Sequence, residues 1–382
     1  MEQTTGPAAT PSATVGILKE TASQETRVAL VPDDVGKLTE GGLRVVLEHD
    51  AGAEAFYGDD AYVAAGATVA SGGADVIKQA NILAVVRPPA SLMEELNRLQ
   101  PNAVLVGFMD PFRNQDLFQK LAAASVTTFS IEMIPRITRA QSMDALSSMS
   151  TIGGYRAVLL AAEASKRMFP MLITAAGTQP PCRVLVLGAG VAGLQALATA
   201  KRLGAVTFGF DTRPEVREQV QSVGATFVQM DDELQVAATA GGYAQEVGDE
   251  FLAREQQSIK PHVTGSDVVI TTALIPGKPA PVLITAEMAR SMKPGSVIVD
   301  LAAEQGGNCE LTRAGETVVD HGVTIIGPVN LPGQVATQAS QMYSRNIANF
   351  IRLLVKEGTV TIDLEDEIMA GACLTHDGKV LK

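Results

Sequence analysis

The chain has 382 residues and a net charge of −12, and 46% of its residues are hydrophobic. A chain of this length is expected to form two or three domains, and its composition excludes disorder over most of its length. The acidic balance argues against nucleic acid as a partner, since phosphates attract basic surfaces.

The three cysteines, Cys182, Cys309 and Cys373, are far apart in the sequence. They argue against a disulfide framework or a zinc site and favour a reducing, cytosolic compartment. Residues 1–13 are rich in Thr, Ala and Pro and predict a flexible tail. No apolar run approaches the roughly 20 residues that span a bilayer, so we expect the chain itself to be soluble.

The first 130 residues alternate between short apolar runs and segments of helical period. The predicted strands are 14–18, 43–48, 81–86, 103–108 and 126–131, and the predicted helices are 32–39, 61–65, 74–79, 92–99 and 115–124. Apolar strands separated by helices are typical of a parallel sheet that is covered on both faces. The pattern therefore predicts a doubly wound α/β domain.

Two long helical patterns, 144–168 and 335–356, bracket the middle of the chain. This arrangement predicts that the chain leaves one domain, builds a second and returns. We therefore assign 14–143 and 340–382 to a first Rossmann-like domain and 144–339 to a second. The predicted fold class is α/β, with two parallel-sheet domains joined by two long helices.

The segment 184–211 carries the clearest chemical motif. A predicted strand over 184–187 is followed by a glycine-rich turn, a helix over 194–203 and a second strand over 206–210. The turn fits the pattern GxGxxG and reads Gly188-Ala189-Gly190-Val191-Ala192-Gly193. Strand, turn, helix and second strand in this order favour a dinucleotide site over a structural turn.

Each residue type in this motif has a physical reason. Gly188 permits the tight turn, Gly190 lets a pyrophosphate approach the helix N-terminus, and Gly193 permits close helix–strand packing. Asp211 ends the second strand, where a carboxylate accepts hydrogen bonds from ribose and repels a 2′-phosphate. This favours NAD(H) over NADP(H), although Arg213 provides a group that accepts such a phosphate.

Later strands of the same sheet are predicted over 267–272, 295–301 and 324–327. Their carboxyl ends face the crevice where such sheets bind ligands, although each is otherwise an ordinary strand end. The remaining candidate contacts to the cofactor lie at these ends or beside the motif, and they are Val191, Ala192, Thr212, Thr272, Ala273, Leu274 and Asn330.

The histidines supply no obvious acid–base partner for a dehydrogenase. We predict solvated loops for His49, His262 and His321, and the sequence shows no spacing typical of metal ligands, so no metal is expected. A polar segment joins strand to long helix, and its Arg136, Gln141, Asp144 and Ser147 are candidates for a rigid network at the site. The alternative is that Ser142 or Asp144 merely caps the helix.

The segment 231–250 is long for a connection and contains Tyr243 after two glycines. Connections of this length are often functional, so a mobile lid is one interpretation and a passive insertion is the other.

Together these segments resemble the NAD(H)-binding alpha component, or domain I, of proton-translocating nicotinamide nucleotide transhydrogenase. The resemblance runs from about residue 16 to 377. It rests on Lys19-Glu20 with Arg27-Val28-Ala29, on PRITRAQSMDALSS, on the glycine-rich turn, on AGGYAQEVG and on TTALIPGKPAPVLIT.

The resemblance implies direct hydride transfer from NADH to NADP⁺ held by a beta subunit (domain III), coupled to proton movement through a membrane component. It implies that Arg136, Gln141, Asp144 and Ser147 surround the nicotinamide and that Tyr243 closes over the nucleotide. It also implies a homodimer that is cytoplasmic and peripheral to the inner membrane. The membrane component is then expected on a separate chain or outside this sequence.

Two other functions remain open at this stage. Alanine dehydrogenases resemble the chain around Lys19 and Arg27, but their catalytic Lys and His fall near Arg87 and near Phe108-Met109. The other alternative is a sensor that binds NAD(H) and transfers no hydride.

Overall fold

The structure is a computed structural model that describes residues 12–229, 248–275 and 277–382. The chain divides into two compact units, which we call unit 1 (Met1–Met149 and Pro332–Lys382) and unit 2 (Ser150–Leu331). Each unit is a Rossmann-like α/β fold, which confirms the predicted fold class. The domain boundaries predicted at 143/144 and 339/340 stay a prediction.

The helices and strands of the described residues are numbered in chain order. The helices are α1 (Pro32–Glu40), α2 (Asp59–Ala64), α3 (Gly73–Gln79), α4 (Ala90–Glu94), α5 (Gln115–Ala123), α6 (Ala145–Ala164), α7 (Val191–Arg202), α8 (Arg217–Ser222), α9 (Asp249–Thr264), α10 (Ala286–Arg290), α11 (Ala336–Leu354) and α12 (Glu367–Ala372). The strands are β1 (Thr14–Ile17), β2 (Arg44–Glu48), β3 (Thr68–Ala70), β4 (Ile82–Ala84), β5 (Val104–Gly107), β6 (Thr127–Ser130), β7 (Leu172–Thr174), β8 (Gly177–Gln179), β9 (Arg183–Leu187), β10 (Val206–Phe210), β11 (Thr226–Val228), β12 (Val268–Thr271), β13 (Val297–Asp300), β14 (Thr317–Asp320), β15 (Val323–Ile326), β16 (Val355–Lys356), β17 (Thr359–Val360), β18 (Cys373–His376) and β19 (Lys379–Val380).

The sheet of unit 1 has the order β19-β18-β6-β5-β4-β1-β2-β3. Strands β1 to β6 are parallel, and all of them except the short β3 coincide with predicted strands. β1 pairs with both β2 and β4, so the winding reverses there. The C-terminal segment adds β18 and β19 antiparallel at the edge, which the sequence pattern did not reveal. The sheet of unit 1 is therefore mixed.

The sheet of unit 2 has the order β11-β10-β9-β12-β13-β15-β14, parallel except for β14. Successive residues of β9 face opposite sides, as the period of a strand requires. Val184 and Val186 pack in a core with α6 and α7, whereas Leu185 and Leu187 pack in a core with α9 and α10. The strand is buried on both faces, which explains its continuous apolar sequence.

Three predicted elements differ from the structure. The helix expected over 92–99 divides into α4 and a 3₁₀ turn (Leu96–Arg98). The helix expected to reach residue 356 ends at Leu354, because Glu357 and Gly358 both have positive φ and close a hairpin between β16 and β17. His262 was expected in a loop, but it lies in α9, which continues through Pro261.

Within the described ranges, no helix combines the length and the apolar character that crossing a membrane requires.

Candidate functional site

The glycine-rich turn connects β9 to α7 in unit 2. Gly188 has a φ of +94°, which favours glycine, and its amide donates to the carbonyl of Phe210 at 2.9 Å. Gly190 is the residue before α7, where helical N–H groups have no partner within the helix. A Cβ on Gly190 would meet no described atom within 4 Å, so the backbone there is open to a ligand.

Gly193 faces the protein instead of the open side of this turn. A Cβ on Gly193 would lie 1.9 Å from the carbonyl oxygen of Gly188, which is far inside van der Waals contact. The first turn of α7 therefore packs directly on the end of β9. The two glycines have different physical tasks, since Gly193 permits packing and Gly190 leaves room for an approaching group.

The turn lies where the winding of the unit 2 sheet reverses. β9 pairs with β10 on one side and with β12 on the other, and ligands of such sheets bind at this position, at the carboxyl ends of the strands. Thr272, directly after β12, donates from its hydroxyl to the carbonyl of Gly188 at 3.0 Å. The structure thus brings these two predicted site residues into contact.

A buried carboxylate organises the neighbouring strand ends. Asp300, at the end of β13, is fully buried and accepts five hydrogen bonds. Its donors are the hydroxyls of Thr271 (2.8 Å) and Thr312 (2.7 Å) and the amides of Ala302 (3.0 Å), Asn308 (2.7 Å) and Cys309 (3.0 Å). Asp300 therefore holds the loop after β13 against β12.

Asn308 links the hydrogen bonds around Asp300 to Ala273, which is one of the candidate cofactor contacts. Its side chain accepts from the amide of Ala273 at 3.0 Å and donates to the carbonyl of Ala273 at 2.8 Å. It also donates to the carbonyl of Pro281 at 2.8 Å. Sequence reasoning did not assign Asn308 a role, and the signal that could have found it was its position after two glycines in a loop that follows a strand end.

Asp211 follows β10 and lies beside the glycine-rich turn. Its Oδ2 accepts from the amide of Ala189 at 2.7 Å and from the Nη2 of Arg213 at 2.7 Å. Its Oδ1 accepts from the backbone amide of Arg213 at 2.9 Å and from its Nε at 2.8 Å. The carboxylate that was expected to meet a ribose therefore forms a close ion pair with Arg213.

A second acid lies near Asp211 and was missed by the sequence analysis. Glu255 of α9 is only 6% exposed, and its pKa is raised from 4.5 to about 7 by burial and, secondarily, by the negative charge of Asp211. The sequence signal was its helical spacing, because Glu255 shares a face with Ile259, which lies in the core.

The raised pKa of Glu255 gives a stability that depends on pH. Between about pH 4.5 and 7 the unfolded chain releases this proton and the folded chain keeps it, so unfolding becomes easier as the pH rises. The contribution to the slope is at most about 1.4 kcal/mol per pH unit. We expect Glu255→Gln to remove this contribution to the slope in denaturant unfolding at pH 5, 6, 7 and 8.

Glu250 is the matched control, since it lies on the same helix with its side chain 84% exposed. Glu250→Gln should leave the slope unchanged. A Glu255→Gln variant with the slope of the parent chain would contradict the titration of Glu255 in this range.

In unit 1, Asp144 directly precedes α6 and caps it. Its carboxylate accepts from the amide of Ser147 at 2.9 Å and from the hydroxyl of Ser147 at 2.6 Å. The capping alternative is thus realised by Asp144, and the carbonyl of Ser142 accepts from the side-chain amides of Asn346 (2.8 Å) and Asn349 (3.2 Å). Asp144 and Ser147 are brought together as expected.

The remaining candidate site residues differ in their exposure and in the contacts that they make. Arg136 and Gln141 are exposed, and Gln141 precedes Asp144 in a 3₁₀ turn (Thr138–Met143). Asn330 has a φ of +44° and donates from its amide to Glu304 at 2.7 Å, and Leu274 is half-buried. Tyr243 and nearly all of the predicted lid lie outside the described residues.

The expectation of no metal stays a prediction. Among the residues that the structure describes, His49, Asp50 and Asp59 bring possible ligand atoms within 4.8 Å of one another. The group is on the surface of unit 1, where Nδ1 of His49 forms a hydrogen bond with the carboxylate of Asp59 at 2.6 Å, and exposed acidic groups of this kind are common without a metal.

Both the sequence and the fold are similar to those of known proteins. Residues 16–153 match the family model "Alanine dehydrogenase/PNT, N-terminal domain", and residues 157–382 match "Alanine dehydrogenase/PNT, C-terminal domain". The chain is 48% identical over 373 residues to an NAD(P) transhydrogenase alpha-subunit chain of Rhodospirillum rubrum, over 96% of this chain and 97% of the relative. It is 30% identical to an alanine dehydrogenase of Halomonas elongata, over 96% of this chain and 94% of the relative. The solved transhydrogenase structure from Sinorhizobium meliloti superposes with a TM-score of 0.87 at 43% identity, over 96% of this chain and 100% of that one.

Proposed function

The chain belongs to the alanine dehydrogenase/PNT family and, within it, to the NAD(P) transhydrogenase alpha subunits, and from this membership we propose that it binds NAD(H) and transfers hydride from NADH to NADP⁺ held by a partner subunit. The observation that carries the proposal is the turn after β9. Gly190 opens the N-terminus of α7 at the point where the winding of the sheet reverses.

Nucleotide binding is supported by the fit of this turn to a pyrophosphate. Free backbone N–H groups at the start of α7 attract negative oxygens, and the absence of a side chain at Gly190 permits their approach. We propose that Val191 and Ala192, which begin the helix, contribute such donors. Thr272, Ala273, Leu274 and Asn330 are proposed to line the same crevice, and Thr212 to lie beside the ribose.

The preference for NAD(H) is proposed to depend on Asp211. A carboxylate at the end of β10 accepts from ribose hydroxyls and repels a 2′-phosphate. NADP(H) is then left to the beta subunit, so that each nucleotide has its own binding component.

We propose that Arg136, Gln141, Asp144 and Ser147 contact the nicotinamide end. In the reaction C4 of NADH gives its hydride to C4 of NADP⁺, which yields NAD⁺ and NADPH with no proton exchanged. The protein therefore has to orient the ring and exclude water, and it needs no general acid or base. The short bonds between Asp144 and Ser147 suit such a rigid support.

Exchanging Gln141 for asparagine tests this step. The side chain becomes one methylene shorter with the same chemistry, and a misplacement of about 1 Å can slow a positioned reaction about 100-fold. We expect transfer from NADH to thio-NADP⁺, with the purified NADP-binding component present, to slow much more than NADH binding weakens. Gln119→Asn, at an exposed position of α5, is the control and should retain the full rate.

Full transfer by the Gln141→Asn variant would remove Gln141 from the nicotinamide site and leave the family intact. Oxidation of alanine by the pure chain with NAD⁺ would contradict the transhydrogenase reaction itself.

The alternatives are less well supported. An amino-acid dehydrogenase needs a proton-transferring group at the oxidised carbon. The positions at which such residues are expected hold Arg87, whose side chain is 46% exposed, and Phe108, whose ring packs 5.2 Å from that of Tyr343. A sensor that binds NAD(H) without transferring hydride would bind in the titration and fail in the transfer assay.

The assembly is proposed to include a membrane-spanning component, which couples transfer to proton movement and keeps this cytoplasmic chain peripheral to the inner membrane. A homodimer is also proposed. It is supported by the hairpin of β7 and β8, whose strands pair only with each other among the described strands. Ile173 is 79% exposed on this hairpin and Met171 beside it is 57% exposed, and such apolar exposure is typical of protein interfaces.

A further inference from the structure

The carboxylate of Asp211 has all its acceptor positions occupied by its own chain. A carboxylate offers about four lone-pair sites, and Asp211 accepts from Ala189, from the backbone amide of Arg213, and twice from the guanidinium of Arg213. The side chain of Asp211 is only 5% exposed, so water cannot easily take part. A ribose that bonds to this carboxylate must therefore displace one or more of these donors.

The guanidinium is the donor best able to leave. The amide of Ala189 belongs to the turn between β9 and α7, and the amide of Arg213 directly follows the strand end, so both are held by the backbone. The guanidinium is attached through rotatable bonds, and the side chain of Arg213 is 12% exposed, against 5% for that of Asp211. Its two bonds to Asp211, from Nε at 2.8 Å and Nη2 at 2.7 Å, equal in number the two hydroxyls of a ribose.

We propose that Arg213 competes with the adenosine ribose for Asp211 and thereby sets both the affinity for NADH and the margin by which NADH is preferred over NADPH. This inference rests on the proposed function, because it requires NADH to bind at Asp211. A displaced guanidinium leaves a positive charge beside the ribose. That charge attracts a 2′-phosphate and reduces the discrimination that Asp211 alone would provide.

Removing the guanidinium of Arg213 should change the affinities for NADH and NADPH differently. In Arg213→Met the long apolar side chain keeps most of the volume and loses the donors. We expect NADH to bind about tenfold more tightly, since charged hydrogen bonds to Asp211 no longer have to be broken, and NADPH to bind no more tightly than before. Titration calorimetry with both nucleotides measures the two dissociation constants and their ratio.

A lysine at the same position separates competition from charge. The ammonium of Arg213→Lys retains the positive charge but does not span both carboxylate oxygens as a guanidinium does. We expect its NADH affinity to lie between those of the parent and Arg213→Met, with NADPH binding retained. Arg217→Met is the control, because Arg217 lies 5.4 Å over the ring of Phe227 and should leave both affinities unchanged.

The outcomes distinguish this inference from the proposed function. A parent chain that does not bind NADH refutes the proposed function. A parent chain that binds NADH, with a folded Arg213→Met variant that binds it equally or more weakly, refutes the competition and makes Arg213 a support for Asp211. If Arg213→Met does not fold, Arg213→Lys decides, since competition requires it to bind NADH more tightly than the parent.

Discussion

Replacing Gly190 with alanine should leave the fold intact and weaken NADH binding about 10- to 100-fold. The added Cβ meets no described atom within 4 Å, so no steric clash should lower the free energy of unfolding. It would project toward the proposed pyrophosphate, and an overpacked contact costs about 1–3 kcal/mol, which equals this loss of affinity. Titration calorimetry with NADH measures the effect, and thermal unfolding checks the fold.

Gly193→Ala is the matched control, because it adds the same methyl group three residues away. Its Cβ would lie 1.9 Å from the carbonyl oxygen of Gly188, so the turn or α7 has to shift. We expect a loss of about 3 kcal/mol in the free energy of unfolding. Equal effects of the two substitutions on stability, or an unchanged NADH affinity in Gly190→Ala, would contradict the separate tasks of these glycines.

Replacing Asp300 with asparagine should destabilise the chain by about 3–5 kcal/mol, because two or three buried donors lose their acceptor and each unsatisfied donor costs about 1–3 kcal/mol. Oδ1 accepts from two donors and Oδ2 from three, and an amide nitrogen in place of either oxygen accepts no hydrogen bond. The loss should be measurable as a lower midpoint in denaturant unfolding.

The same substitution should also weaken NADH binding, since Asp300 holds the amide of Asn308 and Asn308 holds Ala273. Asp320→Asn is the control. Asp320 lies in β14 and forms a surface ion pair with Arg290, which contributes little to stability. If both variants unfold at the same denaturant concentration as the parent, Asp300 does not organise these strand ends.

Local sequence patterns were sufficient for the turn after β9. Apolar runs predicted the strand, and the GxGxxG spacing predicted a tight turn, which the φ of +94° at Gly188 satisfies. The cap of α6 by Asp144 was similarly foreseen as an alternative, because capping depends on residues one turn apart. Both the turn and the cap depend on residues that lie close together in the sequence.

The partners of the polar side chains were not predictable in this way. The sequence indicated Asp211 as a ribose acceptor, but it did not reveal that Arg213 and the amide of Ala189 already bond to it. Glu255 is 44 positions from Asp211 along the chain, and its titration near neutral pH depends on burial between α9 and the sheet. Burial of a charge is decided by what packs around it.

The sequence by itself determined the α/β class, the parallel strands β1, β2, β4, β5 and β6 and the glycine-rich turn, because strand periodicity and glycine conformations are properties of short segments. The tertiary structure alone decided that β18 joins β6 antiparallel and that Asn308 holds Ala273. β18 and β6 are separated by more than 240 residues, as the Cys373–Phe129 pair shows. Which strand pairs with an open sheet edge, and which side chain fills a buried acceptor, depends on groups that only folding brings into contact.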